Sequence, residues 1–420
     1  MNLSGKRLLV LGGKPIGSCD IVGFARRCGA HVIVADYLPP EQAPAKQLAD
    51  ESWCLSTADV PALAAKCRDA GVDGVVTGVH EFNIKRWLEL CEELHLPTYC
   101  TRRQWDILDN KASFKNTCSE FGIPVAKVYG GAGDAEYPVI VKPTDSSGSR
   151  GFSICRNDAE LAVGVEKALA ASDEGRYLIE EFVDSSACIV HYTAVDGDIR
   201  FSGMSDKISL SLDGGSRVMA LQTFPSRHVA RYLDELDAKA VAMLKSIGVA
   251  NGPVWIEVFN DTKTGRMLFN EAGYRFGGSM TNHVVRHFYG VDQMAGILSC
   301  ALAVRQENPF PEGFVPVEPC YSILPMHLRP GRISAVRGLA EAEALKGVKA
   351  IVPVHFEGDL IENWGTTRQV FCYLHVAYDT PERLKQTVDD VLGTLAVEDD
   401  GGRNLLYTLF DTDKLIEAAR

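Results

Sequence analysis

Three apolar runs bounded by glycine or by polar turns recur in the first quarter of the chain. They are residues 6–12 (KRLLVLG), 31–37 (HVIVADY) and 72–77 (VDGVVT). Such runs are typical of strands buried on both faces of a parallel sheet. Amphipathic helices are predicted at about 18–28, 59–70 and 84–94. This alternation predicts a Rossmann-like, doubly wound α/β domain over residues 1–110.

The next stretch alternates short strands with a helix and a polar loop. Its predicted elements are a helix opening at Asn110-Lys111, strands at 137–143 (YPVIVKP), 152–156 (FSICR) and 177–183 (YLIEEFV), and a helix at 159–171. The loop DSSGSRG, residues 145–151, lies between two of these strands. Strands flanking a Gly/Ser turn predict a lid-like subdomain over residues 111–187.

A third pattern is richer in strands. Its predicted elements are strands within 188–224 with a hairpin turn at Asp196-Gly197, a helix at 230–246, strands at 253–260 and 266–273, and a helix at 291–305. They predict a larger subdomain over residues 188–307. Residues 308–319 contain four prolines and predict a linker. A mixed α+β domain with a helix at about 381–396 is expected over residues 320–420.

Composition narrows the class of protein. The 420 residues suggest about three domains. The 43 basic and 55 acidic residues give a net charge of −12, which disfavours nucleic acid and anionic membrane surfaces as partners. The 12 cysteines show no C-x-x-C spacing, and no apolar stretch approaches a membrane span. We therefore expect a soluble cytoplasmic protein with reduced thiols that acts on small molecules; a homodimer is left open.

The first glycines offer a weak nucleotide signal. Gly12, Gly13 and Gly17 follow the first strand, and Asp36 ends the second, as in a dinucleotide fingerprint. The spacing is G-G-x-x-x-G rather than G-x-G-x-x-G. A structural turn is the favoured interpretation, and a nicotinamide-dependent dehydrogenase is kept as an alternative.

Two lysines and a loop indicate a phosphate site. Lys111 opens a helix, and Lys142 ends an apolar strand before the Gly/Ser loop. Lysine supplies a compact positive charge, and backbone N–H groups of such loops cradle phosphate. The predicted cradle residues are Ser147, Gly148 and Ser149.

Two carboxylates interrupt apolar strands further along. Glu257 lies in WIEVF and Glu271 in LFNEA. A carboxylate in a buried strand needs a partner or a cation. Adjacent strands would bring the two together as a magnesium site, the alternative being pairs with nearby arginines. Arg275 and the loop Gly277-Gly278-Ser279 follow directly and are predicted to meet substrate.

Taken in order, these motifs resemble the ATP-grasp superfamily. The similarity is greatest to its branch with biotin carboxylase, the carbamoyl-phosphate synthetase large subunit and carboxylate–amine ligases. It rests on Asn110-Lys111, VIVKP, SSGSRG, IEEFV, WIEVF and NEAGYRFGGS. The resemblance implies a Rossmann-like pre-ATP-grasp domain, a two-subdomain ATP-grasp fold and a small mixed C-terminal domain.

The resemblance also implies roles for individual residues. Lys111 and Lys142 would contact the phosphates of ATP, with Lys207 as a looser match, and the 146–151 loop would close over them. Mg²⁺, or Mn²⁺ in its place, would bind Glu257 and Glu271. Arg275 would stabilise the transferred phosphate. The implied adenine contacts are Glu180, Phe182, Val183 and Phe269.

Two departures from the family pattern stand out. Gly273 occupies the position where relatives often have the asparagine of Glu-x-Asn, and Asn270 is a candidate replacement. Relatives also place a ribose-binding glutamate after the adenine strand, where this chain has Ser185-Ser186-Ala187-Cys188. His191 or Glu181 is the candidate substitute.

Other polar residues are weighed against ordinary structural roles. His80-Glu81 ends a parallel strand, where open α/β sheets place ligands, so Glu81 is a candidate substrate contact. His283 and His287 have zinc-like spacing without an evident third ligand. Cys188 lacks an identifiable base and is not expected to be a nucleophile.

The resulting prediction is an ATP-dependent ligase that activates a carboxylate as an acyl phosphate and transfers the acyl group to an amine. Three alternatives remain open at this point. They are carboxylation through carboxyphosphate, a degenerate ATP-binding regulator, and the dehydrogenase already mentioned.

Overall fold

The computed structural model describes residues 1–14, 16–145, 151–211, 217–305, 310 and 320–419. The predicted phosphate cradle of Ser147, Gly148 and Ser149 lies outside the described residues, as does nearly all of the predicted linker. Among the described helices, none is long and apolar enough to cross a membrane.

The N-terminal region is a parallel four-stranded sheet in the order β3-β2-β1-β4. Its strands are β1 (Arg7–Leu11), β2 (His31–Asp36), β3 (Glu51–Cys54) and β4 (Gly74–Thr77). Its helices are α1 (Ser18–Arg27), α2 (Pro44–Leu48), α3 (Val60–Ala70), α4 (Glu81–Leu94) and α5 (Arg102–Asp109). The apolar runs form buried strands because helices cover both sheet faces.

The lid-like region contains a second, antiparallel sheet in the order β5-β8-β6-β7. The helix α6 (Lys111–Glu120) precedes the sheet. The strands are β5 (Val128–Tyr129), β6 (Val139–Pro143), β7 (Ser153–Cys155) and β8 (Tyr177–Glu181), and the helix α7 (Asp158–Ala170) connects β7 to β8. α7 packs on β6 and β7, where Gly164 allows the close approach. An added Cβ at Gly164 would lie 2.9 Å from Cys155 Sγ.

The largest sheet is antiparallel and extends into the C-terminal region. Its first strands are β9 (Ser185–Val195), β10 (Asp198–Ser211), β11 (Arg217–Phe224), β12 (Gly252–Asp261) and β13 (Met267–Gly273). The helices of this part are α8 (Val229–Glu235), α9 (Asp237–Ile247), α10 (Asn282–Tyr289) and α11 (Gln293–Ala301).

The C-terminal region adds strands to the same sheet. Its strands are β14 (Cys320–Leu328), β15 (Gly331–Arg332), β16 (Ala335–Arg337), β17 (Val348–Pro353), β18 (Leu360–Ile361), β19 (Val370–Tyr378), β20 (Ala396–Glu398) and β21 (Leu406–Tyr407). Its helices are α12 (Leu339–Glu343), α13 (Pro381–Thr394) and α14 (Thr412–Ala418). The order of the large sheet is β13-β12-β9-β10-β11-β14-β19-β17, with β21 on β14. The exact domain boundaries proposed from sequence stay predictions.

Two predicted helices differ from those observed. The predicted helix 230–246 is two helices, α8 and α9, that meet at Leu236. The predicted helix 291–305 is shorter and follows a separate helix, α10. Gly290 adopts a left-handed φ of 67° that ends α10, and the Asp292 side chain caps α11. The residues that end and cap these helices therefore set the helix boundaries, rather than the length of the apolar pattern.

Candidate active site

The pairing of strands β9, β12 and β13 determines which candidate site residues are neighbours. Glu257 on β12 lies opposite Glu271 on β13 and opposite Ile189 on β9. Side chains directly opposite each other project from the same face of a sheet. The cross-strand pairing therefore places both predicted metal ligands side by side on one face.

Glu257 is the centre of a buried polar network. Lys207 Nζ lies 2.8 Å from its Oε1, and Asn270 Nδ2 donates to its Oε2 at 2.7 Å. Lys142 Nζ in turn donates to Asn270 Oδ1 at 2.9 Å. Burial raises the pKa of Glu257, but Lys207 and these hydrogen bonds outweigh it and hold the carboxyl group ionised. The network consists of lysines and an amide rather than the arginine partners of the alternative interpretation.

Lys111 is a third lysine close to the two glutamates. The Asn110 side chain accepts hydrogen bonds from the backbone N–H groups of Ala112 and Ser113 and so caps α6. Lys111 is therefore the first residue of that helix, as expected, and its Nζ lies 3.8 Å from Glu271 Oε2. The structure thus brings Lys111, Lys142, Lys207 and both glutamates together.

Glu180 has a different environment from the one implied for an adenine contact. Its carboxylate is almost inaccessible and lies between two ammonium groups. Oε2 is 2.8 Å from Lys142 Nζ, and Oε1 is 2.7 Å from Lys115 Nζ. Its side chain therefore belongs to the lysine network. Sequence reasoning missed Lys115, although a lysine one turn after Lys111 on the same helix face could have indicated it.

The aromatic residue implied to stack on adenine is not accessible. Phe269 is fully buried, stacked between Phe114 and Tyr232 with centroids 6.3 and 6.2 Å away. A register break after Glu257 places Phe269 opposite Val258, on the face away from the site. The assignment of Phe269 is corrected on this ground. Phe259, two residues after Glu257, shares the site face and is only partly buried.

The connection after β8 is only partly buried. Phe182 is exposed and Val183 partly buried. Glu181 accepts a hydrogen bond from Lys127 N and pairs with Arg266 Nη2 at 3.3 Å. The adenine role of Phe182 and Val183 and the ribose role of Glu181 stay predictions.

His191 lies at the other end of the site. It is paired with Trp255, whereas the site-facing Phe259 is paired with Ala187. Four residues of strand separate these positions by roughly 13 Å, so His191 lies beyond Glu257 and away from Phe259 and from the end where adenine contacts are predicted. Burial lowers its pKa to about 3, so the ring is neutral. The register therefore favours a substrate role over a ribose role for His191.

Arg275 joins the N-terminal region to the large sheet. Its Nη2 donates to Glu81 Oε1 at 2.9 Å, although 194 residues separate the two in sequence. Its guanidinium carbon lies 5.2 Å from the centroid of the Trp255 ring. The two predicted substrate residues are thus in contact.

Trp255 also explains the departure at Gly273. The two residues are cross-strand partners, and an added Cβ at Gly273 would lie 2.5 Å from the indole Nε1. The indole therefore leaves no room for an asparagine side chain at position 273. Asn270, the extra residue at the register break, is the amide beside Glu257 instead.

Three polar nitrogens around this indole have no hydrogen-bond partner among the described residues. They are Arg275 Nε, Trp255 Nε1 and His191 Nε2. The loop residues Gly277, Gly278 and Ser279 follow Arg275; an added Cβ at Gly277 would lie 3.9 Å from the His191 ring, whereas Gly278 borders open space. Buried polar groups without partners are costly, so these nitrogens are candidate contacts for a polar ligand.

Asp109 is a further acidic residue that the sequence did not reveal. Burial and the Glu81 charge raise its pKa to about 6, against the opposing effect of Lys85, Arg275 and Lys111. Carboxyl groups with strongly perturbed pKa values are concentrated at functional sites, so Asp109 is a candidate site residue. Its only sequence signal is its position directly before Asn110-Lys111.

The first glycine turn has a structural role. Gly13 N donates to Asp36 Oδ2 at 2.7 Å, and an added Cβ at Gly13 would lie 2.7 Å from Ala43 Cβ. The Asp36 carboxylate is therefore occupied by its own chain rather than presented to a ribose. This geometry favours the structural interpretation of the turn.

The zinc-like spacing of His283 and His287 has no supporting geometry among the described residues. His283 lies 3.6 Å from Asp20 and faces the His375 ring, whereas His287 faces Tyr321. The two histidines are thus occupied by different neighbours.

Cys188 has an acidic residue and a histidine as neighbours, although no sequence pattern indicated them. Its thiol, Asp206 and His228 present ligand atoms within 4.8 Å of one another. Asp206 already pairs with Arg227 at 2.9 Å, and burial together with Asp206 raises the pKa of Cys188 to about 12. A protonated thiol beside an arginine-bound carboxylate disfavours both a metal ion and a nucleophile.

Comparison with known proteins agrees with this geometry. Residues 135–283 match the model of the ATP-grasp domain family. The chain therefore contains an ATP-grasp domain, and the resemblance predicted from the motifs is confirmed.

Curated relatives resemble part of the chain. The formate-dependent phosphoribosylglycinamide formyltransferase of Prochlorococcus marinus (strain MIT 9303) is 27% identical over 262 residues, which cover 59% of this chain and 64% of that protein. The enzyme of the same name from Bacillus subtilis (strain 168) is 26% identical over 205 residues, covering 46% and 53%. The chain thus spans just under two thirds of the first relative's length.

Solved structures match nearly the whole chain. The biotin carboxylase domain of Hydrogenobacter thermophilus 2-oxoglutarate carboxylase has a TM-score of 0.79 at 17% identity, covering 99% of this chain and 93% of that one. The L-amino acid ligase from Bacillus licheniformis has a TM-score of 0.72 at 18% identity, covering 94% and 100%. These likenesses confirm the predicted mixed α/β fold class.

Proposed function

We propose that this protein is an ATP-dependent ligase that activates a carboxylate as an acyl phosphate and passes the acyl group to an amine. The observation that carries the proposal is the lysine–glutamate network around Glu257, with Arg275 and the buried nitrogens near Trp255 further along the same sheet. Acyl-phosphate formation requires positive charge around the phosphates of ATP and a nearby position for the carboxylate that attacks.

Binding of ATP would follow the register of the sheet. Phe182, Val183 and Phe259 would contact the base at one end. Lys142 and Lys111 would meet the phosphates, and Lys207 would approach them from β10. ATP would thereby lie along β12 with its γ-phosphate toward Arg275.

The donor set also fits Mg²⁺. Glu257 and Glu271 offer hard carboxylate oxygens on one sheet face, the ligand type that Mg²⁺ prefers. These two residues would hold the ion, which when bound neutralises phosphate charge. Mn²⁺ prefers the same ligands and could replace it.

The acid substrate would lie beside Arg275 and Trp255, whose side-chain nitrogens Nε and Nε1 have no hydrogen-bond partner among the described residues. Arg275 Nε and Trp255 Nε1 would donate to its carboxylate, with neutral His191 at its other side. One carboxylate oxygen attacks the γ-phosphorus, and ADP leaves with the electrons of the broken P–O bond. Water must be excluded here, because an acyl phosphate hydrolyses.

The amine would approach from the side of Glu81 and Asp109. Its nitrogen attacks the acyl carbon, and inorganic phosphate leaves with one former carboxylate oxygen. Asp109, with its pKa raised to about 6, is suited to accept the proton that the amine loses. The nitrogen attacks as the neutral amine and becomes cationic on attack, and two acidic groups at this position would stabilise that developing positive charge.

The test is ADP release by the purified chain with Mg-ATP and a matrix of carboxylic acids and amines. We expect release that needs one acid and one amine together, with an amide product detected by mass. Release that requires bicarbonate alone would identify a carboxylase instead. Absence of both ATP binding and ADP release across the matrix would refute the proposal.

A further inference from the structure

One buried ammonium group near the phosphate site has no function in the scheme above. Lys115 lies on α6 one turn after Lys111, and only 3% of the side chain is exposed. Its only counter-ion among the described residues is Glu180, at 2.7 Å. A lysine is rarely buried to this extent, because removing its charge from water is costly unless the charge is paired.

The charge of Glu180 is balanced by one lysine, so it does not explain why two lysines contact it. Glu180 carries one negative charge, whereas Lys115 and Lys142 both approach it, from α6 and β6. If Lys115 were absent, Glu180 and Lys142 would form a closed, neutral ion pair. With Lys115 present, the trio carries one net positive charge, and only Lys142 has a second contact toward the Glu257 network.

We propose that Lys115 is a positioning residue that neutralises Glu180 and thereby keeps Lys142 available to the phosphates of ATP. The inference rests on the proposed ATP binding. ATP phosphates must compete with Glu180 for Lys142, and a charge at 2.7 Å on the other carboxylate oxygen weakens Glu180 as a competitor.

The net charge of Lys115, Lys142 and Glu180 is also expected to fall as the pH rises. Burial and the Lys142 charge lower the pKa of Lys115 to about 8, while Glu180 and Cys118 oppose the shift. These are the charged or titratable groups that act on it from β6, β8 and its own helix. As the pH rises through 8, Lys115 loses its charge, and Glu180 then binds Lys142 more strongly.

The experiment compares ATP affinity by calorimetry in wild type, Lys115→Met, Glu180→Gln and the double variant. We expect Lys115→Met to raise the Kd for ATP about tenfold, equivalent to about 1.4 kcal/mol. Adding Glu180→Gln should restore the affinity to within about twofold to threefold, because Lys142 then has no carboxylate competitor. Lys46→Met, which removes another buried lysine from the N-terminal region, should leave the Kd unchanged.

The outcomes separate this inference from the proposed function. A wild type that binds no ATP refutes the proposed function itself. A wild type that binds ATP, with Lys115→Met binding equally well or the double variant binding no better than Lys115→Met, refutes the role of Lys115. If Lys115→Met does not fold, the double variant and the pH series decide. The wild-type affinity should fall above pH 8, and that of the double variant should not.

Discussion

The two halves of the candidate site are built differently. The phosphate half consists of lysines and glutamates that already pair with one another, as in the contacts of Glu257 and Glu180. The acid and amine half, around Arg275, contains nitrogens that have no hydrogen-bond partner in the described part of the chain, and a carboxyl group with a raised pKa. A self-paired half can hold its shape before ATP arrives, whereas the other half is completed only by its ligand.

The strongest test of this difference is Glu257→Gln. The substitution keeps the shape but removes the charge that orders Lys207 and Asn270 and would hold the metal ion. We expect kcat to fall about 10³-fold, the size seen when one preorganised electrostatic group is lost. Steady-state ADP release measures it. Asp261→Asn, at the far end of the same strand, should retain activity; equal losses in both would show a general defect of β12.

Arg275→Ala should affect the second half alone. Loss of a charge-assisted contact costs about 1.5 to 3 kcal/mol, so the KM for the acid should rise roughly 10- to 150-fold. The Kd for ATP should stay within about twofold, because the phosphate half keeps its own pairs. Parallel titrations of acid and ATP measure the split. A matching loss of ATP affinity would contradict the division into two halves.

The raised pKa of Asp109 predicts a pH limit on the amine side. A base must be deprotonated to accept a proton, so kcat/KM for the amine should fall about tenfold per pH unit below about 6. The rate of Asp109→Asn should be lower and flat across this range. A wild-type profile that is already flat from pH 5 to 7 would remove Asp109 from the scheme.

The smallest effect concerns the adenine end. Phe259→Ala should raise the Kd for ATP several-fold, since base–aromatic contacts are worth about 1 to 3 kcal/mol. Phe269→Ala should instead lower stability by about 3 to 5 kcal/mol through an unfilled core position. Nucleotide titration and denaturant unfolding of both variants distinguish them. The reverse pattern would reinstate Phe269 as the adenine contact.

The two halves also differ in how far the sequence predicts them. Motif order predicted Lys111, Lys142, Glu257 and Glu271 because strands and helix starts carry local patterns. Phe269 was misassigned because a single register break after Glu257 reverses which side chains face the site.

The remaining residues depend on tertiary contacts that no local pattern reveals. Lys115 meets Glu180 across two elements, and Asp109 acquires its environment only when Glu81 and Arg275 come together. The space for Gly273 is set by the Trp255 indole on the neighbouring strand. Long-range packing therefore determines which residues form the acid and amine half. In that half, the sequence alone predicted only Glu81 and the loop from Arg275 to Ser279.

The most direct measurement is the fate of oxygen in a carboxylate substrate labelled with ¹⁸O. Once the acid and amine that support ADP release are known, the released phosphate is examined by mass spectrometry. An acyl phosphate transfers one carboxylate oxygen to phosphate, so we expect one labelled oxygen in each phosphate formed. Unlabelled phosphate accompanying amide formation would contradict the acyl-phosphate account.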